Sequence, residues 1–425
     1  MKGKKLVMKE TNKISQERGI TLVALVITIV VIIILATVTI NFAFGQGGLV
    51  QQAEDARDYY ANDTKYTEDS LSNVTSYLNE ILNGTGGSGE EPTDPPTPTL
   101  PTTVEEAKEN ETKYTDTTPI TDDLGNTVYI PGGFHVDKES EGTLVEDGIV
   151  IEDDDGNQFV WIPTGAYNVT EEKDSDGTKD GKMTNELTRR QWATTANTVQ
   201  EPTPISEDEV ASGSSGAVYY GEGDSRSCTI SGETNSIDAF LESASPKSIE
   251  NPNGHGGFYI GRYEQGTGNV CKAGVDAYVD VTRDEAKVQA EAMYSGNSEE
   301  REIKATSQLI SSYAWDTALN FICQTNTEGY ELATTTDDAY GNIGTNNKTQ
   351  TGGYPADCYS NVYDLLGNCS EWTTEYSSYT FSGDSYPCVH RGGFYNNRDN
   401  DVAYRYCLTT DYSSSLFSFR LSLYV

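Results

Sequence analysis

Apolar residues fall along this chain in three different rhythms. Residues 20–44 are almost continuously apolar, longer than the ~20 residues a membrane-crossing helix needs. Residues 49–82 continue as a predicted helix, with Leu71, Val74, Leu78, Ile81 and Leu82 at helical spacing until Asn83-Gly84 ends it. Farther on the pattern shortens. Val128-Tyr-Ile, Ile149-Val-Ile, Phe159-Val-Trp-Ile-Pro163 and Phe258-Tyr-Ile-Gly-Arg-Tyr263 are predicted strands separated by turns. Residues 312–322 return to helical spacing, with Trp315, Leu319 and Ile322 on one face and Asp316 near the start, where an acid suits the helix dipole. The polar stretch 167–252 is weakly periodic and reads as inserted loops with one helix at about 184–195.

These rhythms divide the chain into a leader at 1–19, a spanning and stalk helix at 20–83, a linker at 84–118 and a distal α+β domain at 119–425. The linker is rich in Pro, Thr and Gly and has too little apolar surface to pack, so it should hold the distal domain off the surface. Lys2, Lys4, Lys5, Lys9, Lys13 and Arg18 precede the apolar run. By the positive-inside rule that end stays cytoplasmic and everything beyond Phe44 is exported. The expected location is a bacterial cell membrane, single-pass, with an extracellular C-terminal domain.

Charge narrows the partners. The chain carries 66 acidic against 29 basic residues, a formal charge of −37, which repels nucleic acid and anionic headgroups. Seven cysteines, an odd number, form no C-x-x-C pair, which argues against a zinc ribbon or a thioredoxin-like centre. Asp153-Asp-Asp-Gly-Asn157 and the acidic run at 174–181 lack the spacing and terminal Glu of a calcium loop and are predicted to be acidic turns.

Arg18-Gly19-Ile20-Thr21-Leu22 resembles a type IV prepilin leader, which implies cleavage by prepilin peptidase between Gly19 and Ile20. Pilins of that kind carry Glu at the fifth mature position; here it is Ala24. An unpaired carboxylate in lipid is expensive, so its absence suits a protein that stays in the membrane or caps a filament. A plain membrane anchor and a minor or tip pilin both remain open at this point.

The last sixth of the chain reads Asn-Val-Tyr-Asp-Leu-Leu-Gly-Asn-Cys-Ser-Glu-Trp at 361–372, then Arg391-Gly-Gly, Ala403-Tyr-Arg and Phe419-Arg420. This order resembles the formylglycine-generating-enzyme (sulfatase-modifying-factor) domain, a C-type-lectin-like fold. Phe159–Pro163 and the strand at Tyr259 resemble its early core strands, and the helix at 312–322 resembles its helix. The resemblance implies a scaffold whose oxidase members place two reactive cysteines just past the Gly-Gly, in copper-dependent chemistry. Here that stretch has Asn396, Asn397 and Asn400 and no thiol; Cys407 follows the Tyr-Arg, where the family's non-catalytic cysteine falls. The same resemblance implies a structural calcium near Asn368 and Glu371, since oxygen ligands suit that ion. The competing expectation is a turn followed by a buried Trp372. No other cofactor is implied.

From Tyr376 to Val425 there is no Lys, Glu, Gln, Met or Trp. Free replacement of adenines in AAC or AAT codons yields products that exclude those five residues and include no stop codon. The segment therefore resembles the variable end of a diversity-generating-retroelement target protein, opened by Arg391-Gly-Gly and closed by Phe419-Arg420. Its Tyr, Asn, Asp and Ser form the palette of antibody paratopes, rigid area plus adaptable hydrogen bonding. Candidate contact residues in the tail at 394–418 are Tyr395, Asn396, Asn397, Arg398, Asp399, Asn400, Tyr404, Tyr406, Asp411, Tyr412, Ser413, Ser414 and Ser415; Arg391, Gly392, Gly393, Arg405, Phe419 and Arg420 are expected to be scaffold. The expected function is noncovalent binding of a protein or glycan on another cell, a phage or a host surface, without catalysis. An enzyme of the formylglycine-generating class and a structural pilin are the alternatives.

Overall fold

The computed structural model describes residues 100–425, apart from 171–180, 193, 196–197, 200–202, 205–209, 214–215, 222–236, 296–302, 378, 397–401 and 404. The chain divides into two compact units, 1–96 and 97–425, and all described residues lie in the second. The leader, the apolar run at 20–44 and the stalk helix lie outside them. Among the described residues no helix is long and apolar enough to cross a membrane.

The second unit is mixed α and β and mostly sheet. It opens with helix α1 (Val104–Asn110), capped by Thr103 Oγ1 accepting from Glu106 N, and the hairpin of β1 (Thr118–Thr121) with β2 (Thr127–Ile130). Then follow β3 (Phe134–Val136), β4 (Val150–Asp153), β5 (Gln158–Pro163), and the hairpin of β6 (Gly165–Asn168) with β7 (Lys182–Asn185). Strands β8 (Val210–Gly213) and β9 (Gly216–Gly221), helix α2 (Asp238–Ala244), β10 (Gly257–Gly261), α3 (Arg283–Met293), β11 (Thr306–Leu309) and α4 (Ser312–Thr325) complete the middle. The end is all strand: β12 (Ser370–Ser377), β13 (Cys388–Arg391), β14 (Tyr406–Leu408), β15 (Phe417–Phe419) and β16 (Leu421–Tyr424).

Two six-stranded sheets carry the unit. The first has order β11-β16-β10-β5-β4-β3, antiparallel throughout. It seats the chain's last strand between β11 and β10, so that Tyr259 pairs with Leu423, 164 positions away. The second runs β8-β9-β12-β13-β14, with β15 added parallel to β12. Strand β5 is buried on both faces, which is why its sequence shows an unbroken apolar run rather than alternation. Trp161 on β5 meets Tyr259 on β10 edge to face at 5.0 Å. Opposite, Gly257 has no room for a side chain, since a Cβ there would stand 2.2 Å from the Trp161 ring.

Helix α4 begins where Ser311 Oγ accepts from Ala314 N, and residues 314–323 are all buried. A helix buried all round belongs between layers, and α4 packs on both β5 and β12.

One expectation fails in the inserted region. Residues 184–195 form no helix: β7 zips onto β6, and the Asn185 amide donates to the carbonyls of Pro163 and Thr317. The backbone N–H of Arg190 goes to Asp316, so tertiary partners hold this stretch extended. The helix of the insert is α2 instead, anchored by Phe240 edge-on to Phe258 at 5.1 Å.

Candidate functional site

The tail at 394–418 hangs between two strands. β13 ends at Arg391, and Gly392 and Gly393 take φ of 94° and 71°, a left-handed pair that turns the chain sharply out of the sheet. The chain returns through buried Val402 and Ala403, whose backbones bond to Gly392 and Ala333, and re-enters the sheet as β14 with His390 opposite Tyr406. A second turn follows, closed by Tyr412 N on Thr409 O and by Ser414, whose carbonyl accepts from both Asp280 and Phe417.

Both roots of the first loop are held by buried charge. Arg391 Nη2 contacts Asp316 Oδ1 at 2.6 Å, and Arg405 Nη2 contacts the other oxygen at 2.5 Å. Arg405 Nε and Arg189 Nη2 donate to Glu375 Oε1 at 2.7 and 2.9 Å. The Arg391 guanidinium also lies over the Trp315 ring, 4.2 Å from its centroid. Burial alone would raise the Asp316 carboxyl, but Arg391 and Arg405 hold it well below the usual carboxylate range; against the same burial, Arg405, Arg189 and Arg391 lower Glu375. A separate pair, Arg420 with Glu371 at 2.7 Å, sits beside this group, and the Trp315 indole donates to the other Glu371 oxygen.

Above the charges lies an aromatic base. Trp372 stacks on Phe417 at 5.2 Å and donates its indole N–H to Val281 O. His390 stands edge-on to Phe417 at 4.4 Å, and burial pulls its pKa down to about 3, so it is a neutral ring. Tyr406 packs on His390 at 5.3 Å and Tyr412 meets Phe417 edge-on at 5.4 Å. These two tyrosines remain 45% and 38% exposed, so each has one face on the base and another in solvent.

Of the predicted contact residues, Asn396, Tyr406, Asp411, Tyr412, Ser413 and Ser415 are exposed. Tyr395 and Ser414 are half-buried and their backbones are structural, with Tyr395 bonded to Asn368 and Asn346. Asn397, Arg398, Asp399, Asn400 and Tyr404 lie outside the described residues, as do Gly19 and Ile20. The residues assigned to scaffold (Arg391, Gly392, Arg405, Phe419 and Arg420) are buried, while Gly393 is half-buried. Sequence reasoning missed Asp316 as an ion-pair partner, and missed Arg189 and Glu375 entirely. The available signal was Glu371 and Glu375 on one face of a buried strand, two carboxylates that demand cations.

Asn368 and Glu371 do not fit a calcium site. Asn368 Oδ1 already accepts from Asn342, Thr349 N and Thr349 Oγ1, its amide donates to Glu264, and the Glu371 oxygens serve Arg420 and Trp315. Among the described residues no group of three His, Cys, Asp or Glu is arranged to hold a metal ion. The acidic run at 153–157 is a turn, with Asp153 accepting from the backbone and side chain of Asn157 and from Tyr294. The described cysteines are unbridged, and burial raises the Cys407 thiol above its ordinary value, away from a reactive thiolate.

No protein-family model matches the chain, and no curated protein matches it. Solved structures give weak likenesses. PvdO from Pseudomonas aeruginosa is 12% identical with a TM-score of 0.34, over 65% of this chain and 98% of that one. Treponema denticola variable protein 1 is 15% identical with a TM-score of 0.27, over 64% and 96%. CarF is 16% identical with a TM-score of 0.30, over 40% and 87%. All three likenesses lie at the level of fold and are too weak to assign a function.

Proposed function

We propose that this chain is a surface-displayed receptor or adhesin, whose tail at 394–418 forms a diversified, noncovalent binding face on a C-type-lectin-like scaffold. The observation that carries this reading is the seating of Tyr406 and Tyr412. Both are exposed candidate contact residues, yet both rest on one buried base of His390, Phe417 and Trp372. A tyrosine already fixed on one side loses little entropy when a ligand covers the other.

The buried Arg–Asp–Glu group supports the diversification, because it fixes both loop roots through residues outside the exposed set. The raised Cys407 thiol and the missing cysteine pair argue against oxidase chemistry. The N-terminal anchor, prepilin processing and cell-surface location belong to the same proposal and rest on the sequence at 1–44.

Capture of the labelled full chain on arrayed glycans and on whole cells tests it. The wild type should give specific capture that Tyr406→Ala/Tyr412→Ala weakens at least about 30-fold, since a central Tyr in an interface is worth ~2 kcal/mol or more. Equal capture by both chains would sink the assignment of the face. Copper-dependent conversion of a cysteine peptide, lost in Cys407→Ser, would replace it with the enzyme reading.

A further inference from the structure

Trp161 is almost completely buried, yet its indole N–H meets no acceptor. The other three tryptophans donate to Asp316, Glu371 and Val281. A buried donor left without a bond is a standing cost. The ring leans onto Gly257 of β10, where a Cβ would come within 2.5 Å of Cε2, the carbon that carries Nε1. That places the N–H edge beside Gly256 and Pro163, and both of these line a cavity of about 340 Å³. Trp161 belongs to its wall, with Asn126 from the β1–β2 turn, Ala166 on β6, Lys182 on β7, and Lys247 and His255 after α2.

The wall is tied together by hydrogen bonds. Asn126 donates its amide to Asn168 O and accepts from Asn168 N, while Thr164 bonds to Ala244 and Gly256. His255 supplies a group complementary to the indole. Ser243 Oγ gives its single hydrogen to Val425 O at 2.7 Å, so it accepts from His255 Nδ1 at 3.2 Å. Nε2 is then a bare acceptor, and burial lowers the imidazole pKa and keeps the ring neutral.

A guest in this cavity must accept from Trp161 and give a hydrogen to His255. The lining is mostly polar, which disfavours an apolar guest. Among the described residues that line it there is no Asp or Glu to hold a cation. A fully ionised oxyanion can accept but has no hydrogen for Nε2. The indole and the imidazole are both neutral, so recognition through them needs no net charge. A compact ring bearing several hydroxyls both accepts and donates, and it suits the size.

We infer that this cavity binds a small polyhydroxylated ligand, a single sugar residue, with Trp161 Nε1 donating to one of its oxygens and His255 Nε2 accepting from one of its hydroxyls. The site shares no lining residue with the tail and stands whether or not the tail is a receptor surface.

The test follows the Trp161 indole proton by NMR in the full chain, assigned by its loss in Trp161→Phe. The probes are glucose, galactose, mannose, N-acetylglucosamine, glucuronate and galacturonate. At ordinary ligand efficiencies a sugar of about 12 non-hydrogen atoms binds with a Kd of about 1 mM, so at least one should move the resonance saturably. A response to the two acids alone would assign the site to sugar acids, and a response to the others would assign it to neutral sugars. His255→Asn keeps a donor toward Ser243 but lacks Nε2, so it should weaken the Kd about five-fold, the worth of one neutral hydrogen bond. Ala166→Phe places a ring in the cavity from an exposed position. It should abolish the shift and leave the melting temperature within about 3 °C. An indole resonance unmoved by every sugar, or moved equally in wild type and Ala166→Phe, would overturn the proposal and leave the space to water.

Discussion

Asp316 shows how much one side chain carries. Its two oxygens meet Arg391 and Arg405 and also accept from the Trp192 indole and the Arg190 backbone, which ties the insert, helix α4 and both tail roots together. Removing one partner of a buried pair strands the others, so Asp316→Ala should cost ~3–5 kcal/mol, read as a lowered denaturant midpoint. A second carboxylate group acts through pH. Burial pushes Asp364 up to about 7 and, together with Asp364 itself, raises Glu264 and Asp357 well above their ordinary values. A carboxyl whose folded pKa is raised holds its proton more tightly in the folded state. Its stabilising effect is therefore complete below about pH 4 and lost as pH climbs through about 7. Asp364→Asn should flatten the decline of melting temperature across that window; an unchanged slope would remove Asp364 as its source. Asp316 was visible in the sequence only as a helix-start acid, because partners 89 and 126 positions away leave no local trace.

Among the elements, strong local signals survived and weak ones did not. The apolar runs at β5 and β10 and the periodic stretch of α4 were legible because burial on several sides leaves few polar choices. The insert was not, because β7, Arg189 and Arg190 are placed by Pro163, Thr317, Glu375 and Asp316 rather than by their own periodicity. The close approach of β10 to Trp161 gives a sharp check. Gly257→Ala would drive a methyl into the ring, so it should destabilise by ~1–3 kcal/mol or more, measured by thermal melting. Trp372→Ala removes the floor of the aromatic base and should cost ~3–5 kcal/mol. A silent Trp372→Ala would mean that Phe417 and His390 hold the base without it.

For the whole molecule, one prediction concerns its beginning and one its division of labour. If the leader is processed as its Arg18-Gly19-Ile20 pattern implies, N-terminal sequencing of the mature protein should start at Ile20. An intact Met1, or cleavage beyond Ala43, would make this an ordinary anchor or a secreted chain. The division of labour is the core of the reading: buried Arg391, Arg405, Trp372 and Phe417 carry stability, and the exposed tail carries recognition. The most direct measurement is the melting temperature of a chain with Asn396, Asp411, Ser413 and Ser415 all replaced by Ala. Exposed substitutions away from packed features each change stability by only ~0.5 kcal/mol or less, so the melt should stay cooperative and fall by no more than about 5 °C. Loss of the cooperative melt would contradict the separation of binding face from scaffold.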